Sequence, residues 1–357
     1  MTQDTQEVLG ETPESDRILT VHDLHTYFHT ASGIAKAVDG VSFTLDRGKT
    51  LGIVGESGSG KSVTAASVMR LLPKNGKIES GEIIFDGTDM VTIEKDKLLD
   101  LRGNDMAMIF QDPMTALDPV FKIGSQMIEQ IRIHDHVSKD EARERSIEML
   151  KLVGIPNPES RLNSYPYELS GGMCQRVMIA MAVSCHPKFV IADEPTTALD
   201  VTVQAQVLEL LKDLQQRLDT AILLITHNLG IIWQMADTVM VMYAGRTCEY
   251  APMEDLYAHP LHPYTWGLLD SMPKLSDPGK TDLKTIPGVP PDLRLTGACC
   301  NFYNRCPYAT ERCRREVPEL KEILPGHFVA CHRQDGVNKL TRGEVNAHES
   351  HREKRHS

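Results

Sequence analysis

The sequence has no run of about 18 apolar residues, so no segment is long enough to cross a bilayer as a helix. Its first residues, Met1-Thr2-Gln3-Asp4-Thr5-Gln6-Glu7, carry neither a basic region nor an apolar core, which predicts a chain without a secretory signal. Excess positive charge is also lacking: 38 Lys and Arg stand against 49 Asp and Glu, a net charge of −11. That balance excludes nucleic acid as the main partner, because a phosphate backbone selects a basic surface. Eight cysteines are present, yet no two have the C-x2-C spacing of a zinc knuckle. Without a secretory signal these thiols are expected to be reduced or metal-bound, in the cytoplasm.

What is there is 357 residues, 41% hydrophobic and 24% charged, the composition of an ordinary globular protein long enough for a main domain and an appendage. One stretch organises the rest. Gly55-Glu56-Ser57-Gly58-Ser59-Gly60-Lys61-Ser62 follows the apolar run Thr50-Leu51-Gly52-Ile53-Val54 and precedes a helical pattern from Val63. Strand, glycine-rich turn and helix with GxxxxGK[ST] spacing make a phosphate-binding loop. Backbone N–H groups at Gly55, Ser57, Gly58, Ser59, Gly60 and Val63 are expected to face phosphate oxygens at a helix start. Lys61 would neutralise the β- and γ-phosphates, and the Ser62 hydroxyl would join a Mg²⁺ shell. The chain is expected to bind a nucleoside triphosphate.

Residues 1–16 are polar and acidic, a disordered tail by composition. Strands are expected at 18–24 and 38–45, with Tyr27-Phe28 in a turn-prone stretch between them. Either aromatic can stack on adenine or pack in the core; Phe28 is the preferred adenine contact. Further strands are read at 81–86 and 106–110, the latter ending at Gln111. Helical periodicity then covers 122–132, 138–153 and 172–185, a helical insertion spanning about 112–186. The apolar strand Lys188–Ala192 delivers Asp193 and Glu194 at its carboxyl end, where open α/β sheets hold ligands. Asp193 suits Mg²⁺, and Glu194 is placed to polarise an attacking water. The strand Ala221–Ile225 ends in Thr226-His227, which suggests a γ-phosphate contact for His227.

Leu169-Ser170-Gly171-Gly172-Met173-Cys174-Gln175-Arg176 resembles the LSGGQ signature of ABC transporter ATPases. The resemblance covers about residues 18–260 and extends through Gln111 (Q-loop), Asp193-Glu194 (Walker B and catalytic glutamate), Ala198-Leu199-Asp200 (D-loop) and His227 (switch histidine). It implies an α/β P-loop NTPase fold of the ABC ATPase type, with an N-terminal antiparallel β subdomain and the helical insertion, spanning 17–260. It implies catalytic roles for Glu194, His227 and Gln111, a Mg²⁺ set of Ser62, Gln111 and Asp193, and a second use of ATP. Ser170, Gly171, Gly172 and Asp200 would face an ATP held by a partner subunit, so that two nucleotides are sandwiched between two cassettes. Met173 and Asn228 depart from the family's usual Gln and Asp, and neither removes a phosphate ligand.

A narrower resemblance is to the oligopeptide/dipeptide importer ATPases. It rests on Gln175–Ala182, on Ala192–Thr202, on His259-Pro260-Leu261-His262-Pro263-Tyr264-Thr265 and on Pro287-Gly288-Val289-Pro290-Pro291. It implies a C-terminal extension at 261–335, before a disordered tail at 336–357. The implied partners are a second ATPase subunit (a paralogue by the group's habit), two membrane-spanning permeases and, indirectly, an extracytoplasmic solute-binding protein. The implied place is the cytoplasmic face of the cell membrane. The same engine serves nickel chelates, glutathione or sugars elsewhere in the group. A soluble ABC ATPase acting on nucleic acid or ribosomes is the rival from another class; sustained heptads and a second phosphate loop, which would mark one, are missing. Cys300, Cys306, Cys313 and Cys331 have the spacing Cys-x5-Cys-x6-Cys-x17-Cys, which leaves iron–sulfur, zinc and free thiols open. Resemblance to the importer group favours a 4Fe–4S cluster.

Overall fold

The computed structural model describes residues 13–197, 199–272, 285–335 and 339–342. Most of the two expected tails, and Ala198 of the D-loop, lie outside the described residues.

A four-stranded antiparallel sheet runs in the order β2-β1-β4-β5, built from β1 (Arg17–Thr30), β2 (Gly33–Asp46), β4 (Gly76–Phe85) and β5 (Thr88–Asp89). The main sheet has eight strands. Its parallel part comprises β3 (Thr50–Val54), β6 (Met106–Ile109), β7 (Phe189–Asp193), β8 (Ala221–Thr226) and β9 (Thr238–Tyr243). To it are added, antiparallel, β10 (Arg246–Pro252), β11 (Lys321–Leu324) and β12 (His327–Val329), giving the order β11-β12-β10-β9-β3-β8-β7-β6.

Every residue of β3, β7 and β8 is buried, which is why these strands read as unbroken apolar runs. Their alternate side chains feed two cores. Leu51, Ile53, Ile191, Leu223 and Ile225 pack toward the antiparallel sheet. Val54, Val190, Ala192, Ile222 and Leu224 pack toward the helices on the other face. Helices Ile123–Asp135, Lys139–Leu152 and Gly171–Val183 occupy the expected insertion, each within a few residues of its predicted span.

One local expectation is corrected. Tyr27 and Phe28 lie inside β1, not in a turn, and the reversal falls after Thr30. The strand absorbs a bulge at Asp23, whose φ is 44°, and resumes pairing at Leu24; that extra residue breaks the alternation that sequence periodicity relies on.

The extension is tied to the main sheet by backbone and by buried charge. Val329 and Phe328 of β12 pair with Glu249 and Tyr250 of β10. The fully buried Glu249 carboxylate accepts from the N–H groups of Leu261 (2.6 Å) and His262 (3.0 Å) and pairs with His327 Nε2 at 2.7 Å. A buried carboxylate needs that many partners to offset its desolvation. Phe302, with Cys300 and Cys306 beside it, completes the helix-side core.

Candidate active site

The loop after β3 conforms to its glycine spacing. Gly58 (φ +77°) and Gly60 (φ +105°) adopt backbone angles that side-chain-bearing residues avoid, and a Cβ on Gly60 would sit 2.3 Å from the Ala37 carbonyl oxygen. The helix Lys61–Val68 starts directly behind them. Lys61 is buried, and its ammonium donates to the carbonyls of Gly55 (2.8 Å) and Glu56 (3.0 Å). Burial lowers its pKa, while the charges of Glu194, Asp193 and Glu56 act the other way.

The carboxyl ends of β6, β7 and β8 bring the other side chains to this loop. Ser62 Oγ donates to Asp193 Oδ1 at 3.0 Å. Burial raises the Asp193 carboxyl, opposed by that hydrogen bond and by Lys61. A hydroxyl and a carboxylate side by side are oxygen donors of the kind Mg²⁺ takes. Glu194, at φ 47°, is the hub of the remainder. It accepts from Thr197 Oγ1 (2.8 Å) and Gln111 Nε2 (3.2 Å), and His227 Nδ1 lies 3.2 Å from its other oxygen. Burial would raise its pKa, but the bonds from Thr197 and His227 and the charge of Lys61 outweigh it and hold the carboxyl below its ordinary value. A left-handed conformation on a non-glycine residue at a strand end is the sort of strain that collects at functional sites.

The loop from Gly55 to Val63, with Gln111, Glu194 and His227, lines a cavity of about 720 Å³, a size suited to a nucleotide. Its opposite wall comes from the extension side: Leu268, Ser271, Thr285 and Ile286. Nothing in the periodicity of that proline-rich stretch pointed to a wall. Thr197, too, had no role assigned from sequence; its position three residues after Glu194 was the available signal.

Other expected residues lie elsewhere. Phe28 is outside the cavity lining and packs beside Gly76 and Leu72. Its neighbour Tyr27 donates to Asp39 at 2.6 Å, which also receives two bonds from Arg246. None of Ser170, Gly171, Gly172 and Asp200 lines the cavity. Ser170 caps the helix Gly171–Val183, accepting from Met173 N at 3.3 Å, and Asp200 caps Val201–Leu218 through Thr202 and Val203. Met173 packs against the helix-side core, an apolar use for the position that departs from the family pattern. Asn228 caps its own helix by accepting from Gly230 N at 2.8 Å, a role that aspartate fills equally.

Cys300, Cys306, Cys313 and Cys331, expected to hold a metal centre, form no site for a single metal ion. Among the described residues no three His, Cys, Asp or Glu side chains are arranged to hold a metal ion. All four are free thiols, and Cys313 Sγ accepts from the Thr310 N–H at 3.5 Å. Burial first, and then the charge of neighbouring thiols, pushes Cys300 up to about 11 and Cys306 and Cys331 up to about 12.

A phosphate loop facing a strand-end carboxylate pair, with a capped small-residue helix start on a separate face, defines an ATP-binding cassette. The family profile described as ABC transporter matches residues 38–197, and that of the oligopeptide/dipeptide transporter C-terminal region matches residues 248–313. A probable peptide ABC transporter ATP-binding protein, y4tR of Sinorhizobium fredii, is 50% identical over 92% of this chain and 98% of its own length. The oligopeptide transport ATP-binding protein OppD of Bacillus subtilis is 49% identical over 88% of each chain. The chain belongs to the ABC transporter family. Among solved structures, the cassette MJ0796 in a dimeric post-hydrolysis state bound to ADP and Pi has the same fold, with TM-score 0.60 and 24% identity over 66% of this chain and 98% of that one. The cbiO1 protein of Clostridium perfringens, described as part of the ABC transporter complex cbiONQ, gives TM-score 0.58 and 29% identity over 68% and 91%.

Proposed function

We propose that the chain is the ATP-hydrolysing subunit of a peptide importer, working peripherally on the cytoplasmic face of the membrane with two permeases and a second cassette. The observation that carries the peptide reading is near-half identity to peptide-transport ATPases along almost the whole chain, extension included. No helix among the described residues is long and apolar enough to cross a membrane, so membrane-spanning partners would supply the path. In the proposed cycle Lys61 leaves the carbonyls of Gly55 and Glu56 for the β- and γ-phosphates. Ser62, Asp193 and Gln111 would hold Mg²⁺, which supplies charge neutralisation on the phosphates. Glu194, ionised at neutral pH, orients the attacking water and takes its proton, while His227 and Gln111 steady that carboxylate and contact the γ-phosphate side. Ser170, Gly171, Gly172 and Asp200 meet the nucleotide of the second cassette. Purification from membranes should recover two permeases and a second cassette, and peptide presented with its binding protein should raise ATPase turnover in proteoliposomes. Stimulation by a sugar or a metal chelate, and not by peptide, would overturn the substrate class.

We also infer a 4Fe–4S cluster at Cys300, Cys306, Cys313 and Cys331. What supports it is proximity: the Cys300 N–H donates to the Cys313 carbonyl at 2.9 Å, and thiols far apart in sequence raise one another's pKa, opposed at Cys306 by the charge of Arg333. A cubane spreads its ligands wider than a single ion does. Anaerobically purified protein should be brown and lose its colour in Cys306→Ser; colourless, iron-free protein would overturn this.

A further inference from the structure

The extension touches the phosphate loop through one buried guanidinium. Arg305 has only 5% of its side chain exposed, and all five of its N–H donors find acceptors. Two bond the Glu56 carboxylate in a fork, at 2.6 and 3.0 Å. The others reach the Tyr243 hydroxyl (3.3 Å) and the carbonyls of Pro287 (2.9 Å) and Ile286 (3.1 Å). Glu56 belongs to the loop itself: its N–H donates to the Tyr264 hydroxyl at 2.8 Å, and its carbonyl accepts from Lys61. Ile286 belongs to the opposite wall of the cavity.

Phosphate binding does not call for a carboxylate at this position, since the GxxxxGK spacing leaves it free. A negative charge there is unfavourable to a triphosphate, and Glu56 stands within electrostatic range of Lys61, the phosphate-binding cation. A bridge serving only to dock the extension would gain little over apolar packing, because burying two charges costs about what their attraction returns. A bidentate fork instead fixes geometry and cancels the charge. We propose that Arg305 is a positioning residue for ATP binding, contributed by the C-terminal extension: it neutralises Glu56 and sets the phosphate loop against the Ile286 wall.

This inference rests on the reading of the cavity as the ATP site. Mg–ATP affinity of the full-length chain is measured by calorimetry, with Lys61→Ala as the control that abolishes binding. Arg305→Ala is expected to weaken affinity about tenfold, by about 1.4 kcal/mol, because Glu56 is left unpaired beside the phosphates. The defect should shrink at high salt, and Glu56→Gln in the same chain should recover most of it. A merely structural role predicts no such recovery. Unchanged affinity in Arg305→Ala, or a double variant as weak as the single, would overturn the inference alone. No binding by the unsubstituted chain would overturn the ATP-site reading and the inference with it. Should Arg305→Ala unfold the extension, Arg305→Lys decides: it keeps the charge but loses the fork, so affinity is expected to fall about threefold, and unchanged affinity there would overturn the positioning role.

Discussion

The phosphate loop has two neighbours, and they are built differently. On the strand-end side, Glu194 is held by contacts of 2.8 to 3.2 Å from Thr197, Gln111 and His227, and the His227 side chain is 56% exposed. On the extension side, Arg305 has every donor matched, Tyr264 is wholly enclosed and His262 is 2% exposed. Hydrogen bonds to an exposed partner are easily exchanged, whereas a saturated buried fork is not. The difference assigns the moving parts to the strand ends and the fixed wall to the extension. Catalysis needs groups that can let go of one another when water and phosphate arrive; a wall does not.

The most damaging test falls on the moving side. Glu194→Gln keeps the shape and removes the proposed base, so turnover of the assembled complex should fall about a hundredfold or more while ATP binding persists. Hydrolysis at the parental rate would show that the hub of the strand-end side is not the base.

Ser170→Arg probes the capped start of the helix Gly171–Val183, which does not line the cavity. A long cation at a capped helix start should leave this chain's own ATP affinity within about twofold, yet lower ATPase activity of the complex tenfold or more. Equal losses in binding and turnover would place the signature beside the chain's own nucleotide.

The fixed side should respond to acid. His262 is lowered to about 4 by burial, so between pH 6.5 and 4 the unfolded chain binds a proton that the folded chain refuses. Its contribution to stability is therefore complete above about pH 6.5 and is lost as the pH falls, by about 2 kcal/mol at pH 5. His262→Asn retains an acceptor for the Tyr264 N–H, removes the titration, and should flatten the acid limb in denaturant titrations followed from pH 7.5 to 4.5. An unchanged slope would mean that another group governs the acid sensitivity.

The smallest effect is expected from Thr197→Val, which deletes one hydrogen bond to Glu194 at nearly constant volume. Turnover should drop by a few-fold, about 1 kcal/mol. Because that bond helps to hold the Glu194 carboxyl down, the acid limb of the rate profile should move to higher pH. A shift to lower pH would reverse the assigned sign.

Local order in the chain explains what could be read without coordinates. The phosphate loop is eight consecutive residues whose glycines, lysine and serine each answer a backbone or charge requirement, and buried parallel strands announce themselves as apolar runs ending in Asp193-Glu194 and Thr226-His227. The three long helices of the insertion, the capped signature helix among them, follow from periodicity and resemblance for the same reason. Tertiary structure alone decided which distant side chains became neighbours. Gln111 reaches Glu194 because β6 and β7 pair in parallel. Arg305 reaches Glu56 across 249 positions, and Glu249 waits for His327 until β12 closes on β10. Such pairings depend on a sheet edge and a buried interface that no window of sequence contains, and the desolvation that gives them their strength exists only once the chain has folded.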